Sequence, residues 1–229
     1  MDLLSPNDHI VTSISDRYFI VDTGSPVSFN YEGIESLEIE NRAFSISRMP
    51  VCPKEDLDRL TGISIAGIIG TDIVRKTGLT IDLETRTLDF SVKNEGIDPN
   101  DYALLSFEFF MGNYLVTDDV FLGRQLHKVI IDTGACIPYI SKRLSSLFEH
   151  TGEMYHDISP SFGVLQGEYL KGDLTCKSPT QMSSRSIKMG MMPEVLDMFG
   201  LFDAILGVTA ITDKRIIFDF SRKVLLAKM

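Results

Sequence analysis

Two aspartates stand in matching frames. Tyr18-Phe19-Ile20-Val21-Asp22-Thr23-Gly24-Ser25 and Val129-Ile130-Ile131-Asp132-Thr133-Gly134-Ala135 each place Asp-Thr-Gly directly after an apolar run that reads as a buried strand. Each carboxylate is therefore expected at a strand end. Two carboxylates brought to contact cannot both ionise cheaply, so one pKa rises, the other falls, and the pair holds one proton over a wide pH range. Its ionised member can take a proton from a bound water while the protonated member polarises a carbonyl, a route to amide hydrolysis without a covalent intermediate.

One copy alone would mean little. Asp bonds its own backbone two residues on and Gly accepts left-handed dihedrals, so Asp-Thr-Gly is good turn chemistry, and average residue usage produces it by chance in roughly one chain in twenty of this size. Each copy, however, has the same sequel. The first is followed by Pro53, Leu57, Leu60, Gly62, then Ala66-Gly67-Ile68-Ile69-Gly70 and Thr80-Ile81-Asp82-Leu83. The second is followed by Pro193, Leu196, Phe199, Gly200, then Asp203-Ala204-Ile205-Leu206-Gly207 and Ile217-Phe218-Asp219-Phe220. Gly70 and Asp82 stand 12 positions apart, as do Gly207 and Asp219, whereas Asp22 to Gly70 is 48 positions and Asp132 to Gly207 is 75. The chain is an internal repeat with a longer insertion in its second half.

The remaining loop residues have physical roles to fill. Gly24 and Gly134 let backbone amides approach the carboxylates, and Thr23 and Thr133 are placed to hydrogen-bond across a pseudo-twofold axis. Ser25 can donate to Asp22, whereas Ala135 offers Asp132 no hydroxyl, which makes Asp132 the expected protonated member.

On these residues the chain resembles the pepsin-like and retropepsin-like aspartic peptidases. The hydrophobic-Asp-Thr-Gly-Ser/Ala segments at 20 to 25 and 130 to 135 carry the resemblance, with Ile68-Ile69-Gly70 and Ile205-Leu206-Gly207. It implies a mainly β fold of two pseudo-symmetric acid-protease β-barrel lobes with short helices, a cleft between them and no cofactor. It also implies an endopeptidase acting on a peptide or protein substrate through Asp22 and Asp132, as a monomer with both lobes in one chain. The family covers its cleft with a flap. The candidate is the Ser161 to Tyr169 segment, read as a mobile hairpin, with Phe162, Gly163, Val164, Gly167 and Tyr169 as covering residues.

The elements that must position these residues are mostly strands. They are expected at His9 to Ser15, Tyr18 to Val21, Ser36 to Glu40, Ala43 to Ile46, Leu79 to Leu83, Thr87 to Val92, Tyr114 to Phe121, Val129 to Ile131 and Ile216 to Leu226, with hairpin turns at Asp16-Arg17 and Asn41-Arg42. Three short helices are expected: Lys54 to Leu60 and Glu194 to Phe199, each behind a proline and stopped by a glycine, and one capped by Ser141 that runs to Gly152. The lobes divide as 1–97 and 98–229, in the polar stretch Lys93 to Asp101. The echo of Leu3-Leu4-Ser5 in Leu104-Leu105-Ser106 places these segments, with the two lobe ends, in a sheet joining the halves.

Bulk properties narrow the partners. With 22 basic against 32 acidic residues the formal charge is −10, which argues against nucleic acid or an anionic membrane surface. No stretch reaches membrane-spanning length and no basic-then-apolar leader is visible, so a cytoplasmic location is expected. Cys52, Cys136 and Cys176 show no metal or disulfide spacing. Cys136 reads as packing, since no sequence signal places His127 or His150 beside it, and the four histidines (His9, His127, His150, His156) lack ligand spacing. Asp82 and Asp219 read as turn-bonding residues, and Met189-Gly190-Met191-Met192 as core. The main alternative function is a peptide- or protein-binding module on the same fold without turnover. A two-carboxylate glycosidase would need sugar-stacking aromatics, and the chain has 0 Trp.

Overall fold

The runs ahead of each aspartate are β-branched and buried, as are Ile68 and Ile69, the composition of strands covered on both faces. The protein is described by a computed structural model covering residues 1–4, 8–48, 53–94, 96–122, 124–125, 128–159, 163–177, 182–197 and 200–229. In the first half, strands Leu3–Leu4, Val11–Ile14, Arg17–Val21, Ile65–Ile69, Phe29–Asn30 and Ser47–Arg48 lie side by side in that order. In the second, Glu108–Phe110, Tyr114–Thr117, Val129–Ile131, Ala204–Leu206, Tyr139–Ile140 and Met182–Met191 follow the same order. At the centre of each, the strand before the aspartate runs parallel to the strand before the later glycine, Ile20 opposite Ile68 and Ile130 opposite Ile205.

The second sheet grows beyond this shared pattern. Its insertion forms three long antiparallel strands, Glu149–Ser159, Gly163–Lys177 and Met182–Met191. Periodicity did not announce them, because their alternation is broken by glycines and by polar residues on both faces. Met189 and Met192 are buried, as expected.

Closed β-barrel lobes were expected, and the sheets are open instead. Closure requires the edge strands to hydrogen-bond one another. Here the first sheet ends on two-residue strands, Leu3–Leu4 and Ser47–Arg48, that do not pair with each other among the described residues, the Leu3 amide turning instead to the Arg86 carbonyl.

A further sheet joins the halves in the order Thr87–Asp89, Leu79–Asp82, Arg215–Asp219, Val224–Lys228, Tyr102–Ser106. Its central seam pairs the two repeated strands with each other, Ile81 opposite Ile216 and Leu79 opposite Phe218. Leu3 and Leu4 pair with Thr12 and Val11, and their segment also reaches the edge of this sheet, through an antiparallel bridge of Asp2 with Thr87 and the Leu3 amide on the Arg86 carbonyl at 3.0 Å. Asp82 and Asp219 bond the turns that follow them: the Thr85 amide donates to Asp82 at 2.8 Å, the Arg222 amide to Asp219 at 3.0 Å. One hydrophobic core runs from Leu3 to Ala227 through both halves.

Local signals were legible to within a residue or two. Two hairpin turns use Ser15-Asp16 and Glu40-Asn41, all four residues at positive φ, the conformation of a two-residue loop that matches strand twist. They fall one position before the expected pairs, because Arg17 and Arg42 already face Ile14 and Ile39 across the ladder. Helix Lys54–Thr61 begins behind Pro53 and stops at Gly62, whose φ is 75°. The stretch after Ser141 is a 3-10 turn over Lys142–Leu147 with Leu147 exposed, the Ser141 hydroxyl donates to Asp197 at 2.8 Å instead of capping, and Gly152 lies within the next strand. Of the helix expected at Glu194 to Phe199, Glu194–Asp197 is present, and 198–199 lie outside the described residues. Two unforeseen helices, Thr71–Thr77 and Val208–Ile211, begin immediately after Gly70 and Gly207.

Because the halves share a core and a sheet, they should unfold together. Phe218→Ala removes a fully buried ring at the seam and is expected to cost about 3 to 5 kcal/mol. Urea titration followed by circular dichroism and by tyrosine fluorescence should give one coincident transition, shifted to lower denaturant.

Candidate active site

Each aspartate is suspended at its strand end by the strand beside it. The Asp22 amide donates to the Ile69 carbonyl and the Asp132 amide to the Leu206 carbonyl, both at 2.9 Å. Beyond each, the chain turns tightly, with the Ser25 amide on the Asp22 carbonyl (3.2 Å) and the Ala135 amide on the Asp132 carbonyl (3.1 Å). The later glycines make room for these turns. A Cβ on Gly70 would lie 2.7 Å from the Ser25 carbonyl oxygen, and one on Gly207 would overlap the Ala135 carbonyl.

The threonines lock the two loops together. The Thr23 amide donates to Thr133 Oγ1 and the Thr133 amide to Thr23 Oγ1, each at 3.0 Å. Each hydroxyl in turn donates to a carbonyl of the opposite strand, Thr23 to Ile131 (2.8 Å) and Thr133 to Val21 (2.6 Å). Both side chains are fully buried, so every polar atom of the bridge is satisfied where an orphan would cost about 1 to 3 kcal/mol.

This bridge sets the carboxyls against each other, close enough that the Gly24 amide donates to both. Each also sits over the other loop's glycine. A Cβ on Gly134 would lie 2.5 Å from Asp22 Cγ, and one on Gly24 would overlap the Asp132 carboxyl. Backbone amides converge on the pair: Gly24 and Ser25 donate to Asp22 Oδ1 at 2.8 and 2.9 Å, and Gly134 and Gly24 to Asp132 Oδ1 at 2.9 and 3.2 Å. Burial pushes the Asp22 carboxyl well above its ordinary range, and the charge of Asp132 pushes the same way. Burial raises Asp132 too, while the amides of Gly134, Gly24 and Ala135 hold it back. Burial raises both carboxyls, so the pair keeps one proton between them.

The Ser25 hydroxyl does not make the bond to Asp22 on which the expectation of a protonated Asp132 rested. It donates to the Val27 carbonyl at 2.9 Å, and only the Ser25 backbone amide reaches Asp22. The short turn to Pro26 and Val27 offers the hydroxyl a nearer acceptor.

Two flanking residues escaped sequence reasoning. Val11 faces Ile20 and Val116 faces Ile130, each partner two positions before its aspartate. Two positions before Val11 and Val116 stand His9 and Tyr114, which are therefore equivalent in the repeat. The buried His9 ring places Nε2 3.6 Å from Sγ of Cys136, four residues beyond Asp132. On the other side, Asn113 Nδ2 donates at 3.3 Å to the carbonyl of Pro26, four residues beyond Asp22. Burial lowers the His9 pKa against the opposing pull of Asp157, the Gly134 backbone, Asp8 and Asp132. The half-buried Tyr114 phenol is raised by burial, then by the charges of Asp132 and Asp22. Only alignment of the two halves on their strand registers could have found this pair.

The other expected residues are placed as follows. Ser161 and Phe162 lie outside the described residues. Gly163, Val164, Gly167 and Tyr169 belong to one strand, the second arm of a hairpin whose first arm is Glu149–Ser159. Val164 is exposed, whereas a Cβ on Gly167 would lie 2.7 Å from the Tyr155 ring. That glycine serves packing rather than mobility. Cys52 and His127 lie outside the described residues. Cys136 has a histidine neighbour after all, yet burial pushes its thiol up to about 12, which leaves it protonated and a poor nucleophile. His150 pairs with Glu168 at 3.0 Å. Among the described residues no cluster of three His, Cys, Asp or Glu is arranged to hold a metal, and no helix is long and apolar enough to cross a membrane. Compared with protein-family models and with curated proteins, the chain matches none.

Two measurements follow from this geometry. Thr23→Val strands the Thr133 amide and the Ile131 carbonyl, and should lower unfolding stability by about 2 kcal/mol or more, whereas Thr23→Ser should retain most of it. The folded pair holds a proton that an unfolded aspartate, with its ordinary value of 3.8, releases. Stability should therefore fall as pH rises from that value towards the raised folded one. Asp22→Asn keeps the hydrogen bonds without the charge, so it should be more stable than the parent at about pH 7 and lose that advantage towards about pH 4, read by urea denaturation across the range.

Proposed function

We propose that the chain is an aspartic endopeptidase, similar in plan to the pepsin-like and retropepsin-like peptidases, in which Asp22 and Asp132 activate a water. The observation that carries this reading is the close pairing of two carboxyls that share the Gly24 amide, on loops locked by reciprocal threonine bonds. Such a pair holds an acid and a base side by side.

In the reaction, the ionised member of the pair takes a proton from a water bound between the carboxyls, and the water oxygen bonds to the peptide carbonyl carbon. The protonated member gives its proton to the carbonyl oxygen. The resulting diol collapses as its C–N bond breaks, the leaving nitrogen gains a proton from the pair, and one diol hydroxyl returns one. The pair ends with the single proton it began with. Rigid loops matter because both proton transfers need heavy atoms at hydrogen-bond reach in one geometry. A binding module without turnover, the rival on the same fold, has no use for a buried shared proton, which raises the cost of folding at neutral pH.

Asp22→Asn and Asp132→Asn should each reduce cleavage of a denatured protein or a peptide library by about a thousandfold or more. Full activity in either variant would sink the proposal. The parent rate should be bell-shaped in pH, since the pair must hold one proton and not two or none. A statine-type inhibitor should raise the melting temperature of the parent and not that of Asp132→Asn.

A further inference from the structure

A cavity of about 410 Å³ lies beside the second aspartate's loop. Neither aspartate lines it. Cys136 and Pro138, just beyond Asp132, form one side, and Asp8 and His9 come from the first half. Asp157, Tyr169 and Lys188 come from the three long strands of the insertion. The extra length of the second half thus builds a wall of a pocket next to the proposed reaction centre.

Two carboxylates, Asp8 and Asp157, stand on the lining of this pocket. Asp157 is 8% exposed and takes the Tyr139 hydroxyl as a donor. Its negative charge is felt around the pocket, where it adds to burial in holding Cys136, Tyr139, Tyr155 and Tyr169 in their neutral forms and opposes the effect of burial at His9. His9 is 3% exposed, and its Nδ1 has no hydrogen-bond partner. A neutral imidazole can offer that nitrogen to a donor. Asp8 adds a second carboxylate. The cation on the lining, Lys188, is already engaged with Glu153 at 2.6 Å and lies 4.1 Å from the Tyr169 ring centroid. His156, also on the lining, is exposed.

A buried ring nitrogen without a partner, two carboxylates and space for a long side chain suit a ligand rich in donors. We propose that this cavity is a specificity subsite that takes a cationic side chain of the peptide, arginine in the first place. Guanidinium carries five N–H donors and no acceptor, and can serve both carboxylates and the imidazole nitrogen at once. The formal charge of −10 favours encounter with such basic peptides. The assignment rests on the peptidase reading for its role, though not for its binding chemistry.

The test is a scan in which arginine, then its neutral isostere citrulline, occupies each position of an otherwise fixed eight-residue peptide. Binding is measured by titration calorimetry and cleavage by chromatography. At one position the arginine peptide should bind about tenfold tighter or more, and the ratio should fall to within about twofold in Asp157→Asn and in Asp8→Asn. Asp8 is exposed with φ 66°, a conformation asparagine tolerates, so that variant keeps the test decisive if Asp157→Asn misfolds. Equal binding of the two series, or a ratio unchanged in the variants, overturns the subsite. Cleavage without arginine preference ends the subsite and leaves the peptidase reading standing. Arginine-selective binding with no cleavage of any peptide ends the peptidase reading and leaves the subsite.

Discussion

Two buried carboxyl groups in close contact repel each other unless they share a proton, and a chain that holds them together must supply the stabilisation elsewhere. Here that support comes from backbone. Amides of Gly24, Ser25 and Gly134 point at the pair, and each carboxyl occupies the space where the opposite glycine has no side chain. Larger residues at 24 or 134 would drive the carboxyls apart. The glycines are thus required by a close approach between halves rather than by unusual dihedrals.

The threonine bridge converts this local arrangement into a global one. Its four hydrogen bonds cross between strands about 110 residues apart in sequence, so neither loop can take its geometry without the other. The sheet seam at Ile81 and Ile216 and the single core running through both halves impose the same dependence from the far side. A repeated sequence has therefore produced one cooperative unit, with the paired aspartates at the point where the copies meet.

Symmetry of the backbone does not extend to the side chains around it. His9 and Tyr114 occupy equivalent positions, yet one is a buried imbalance of imidazole against thiol and the other a phenol near both carboxylates. The long strands Glu149–Ser159 and Gly163–Lys177 of the second half stand where the first has only the short hairpin Ser36–Ile39 and Arg42–Ser45. Such divergence gives the two flanks of the pair different chemistry, which an extended, directional ligand such as a peptide can exploit.

Much of this was legible in the residues themselves. The doubled Asp-Thr-Gly, the later glycines, the proline-to-glycine helix at Lys54–Thr61 and the hairpin turns depend on contacts within a few positions, and short-range pattern captures those. Other features depend on partners distant in sequence. Ser25 turned from Asp22 to a nearer carbonyl, Gly167 yielded to the Tyr155 ring, and His9 found Cys136 across 127 positions. Open sheets replaced the expected barrels because the edge strands are too short to meet. Sequence alone determined that two carboxylates stand at equivalent strand ends, since strand and turn chemistry are local. Only the tertiary structure decided that they meet, that both are raised, and what surrounds them, since burial and charge depend on everything packed nearby.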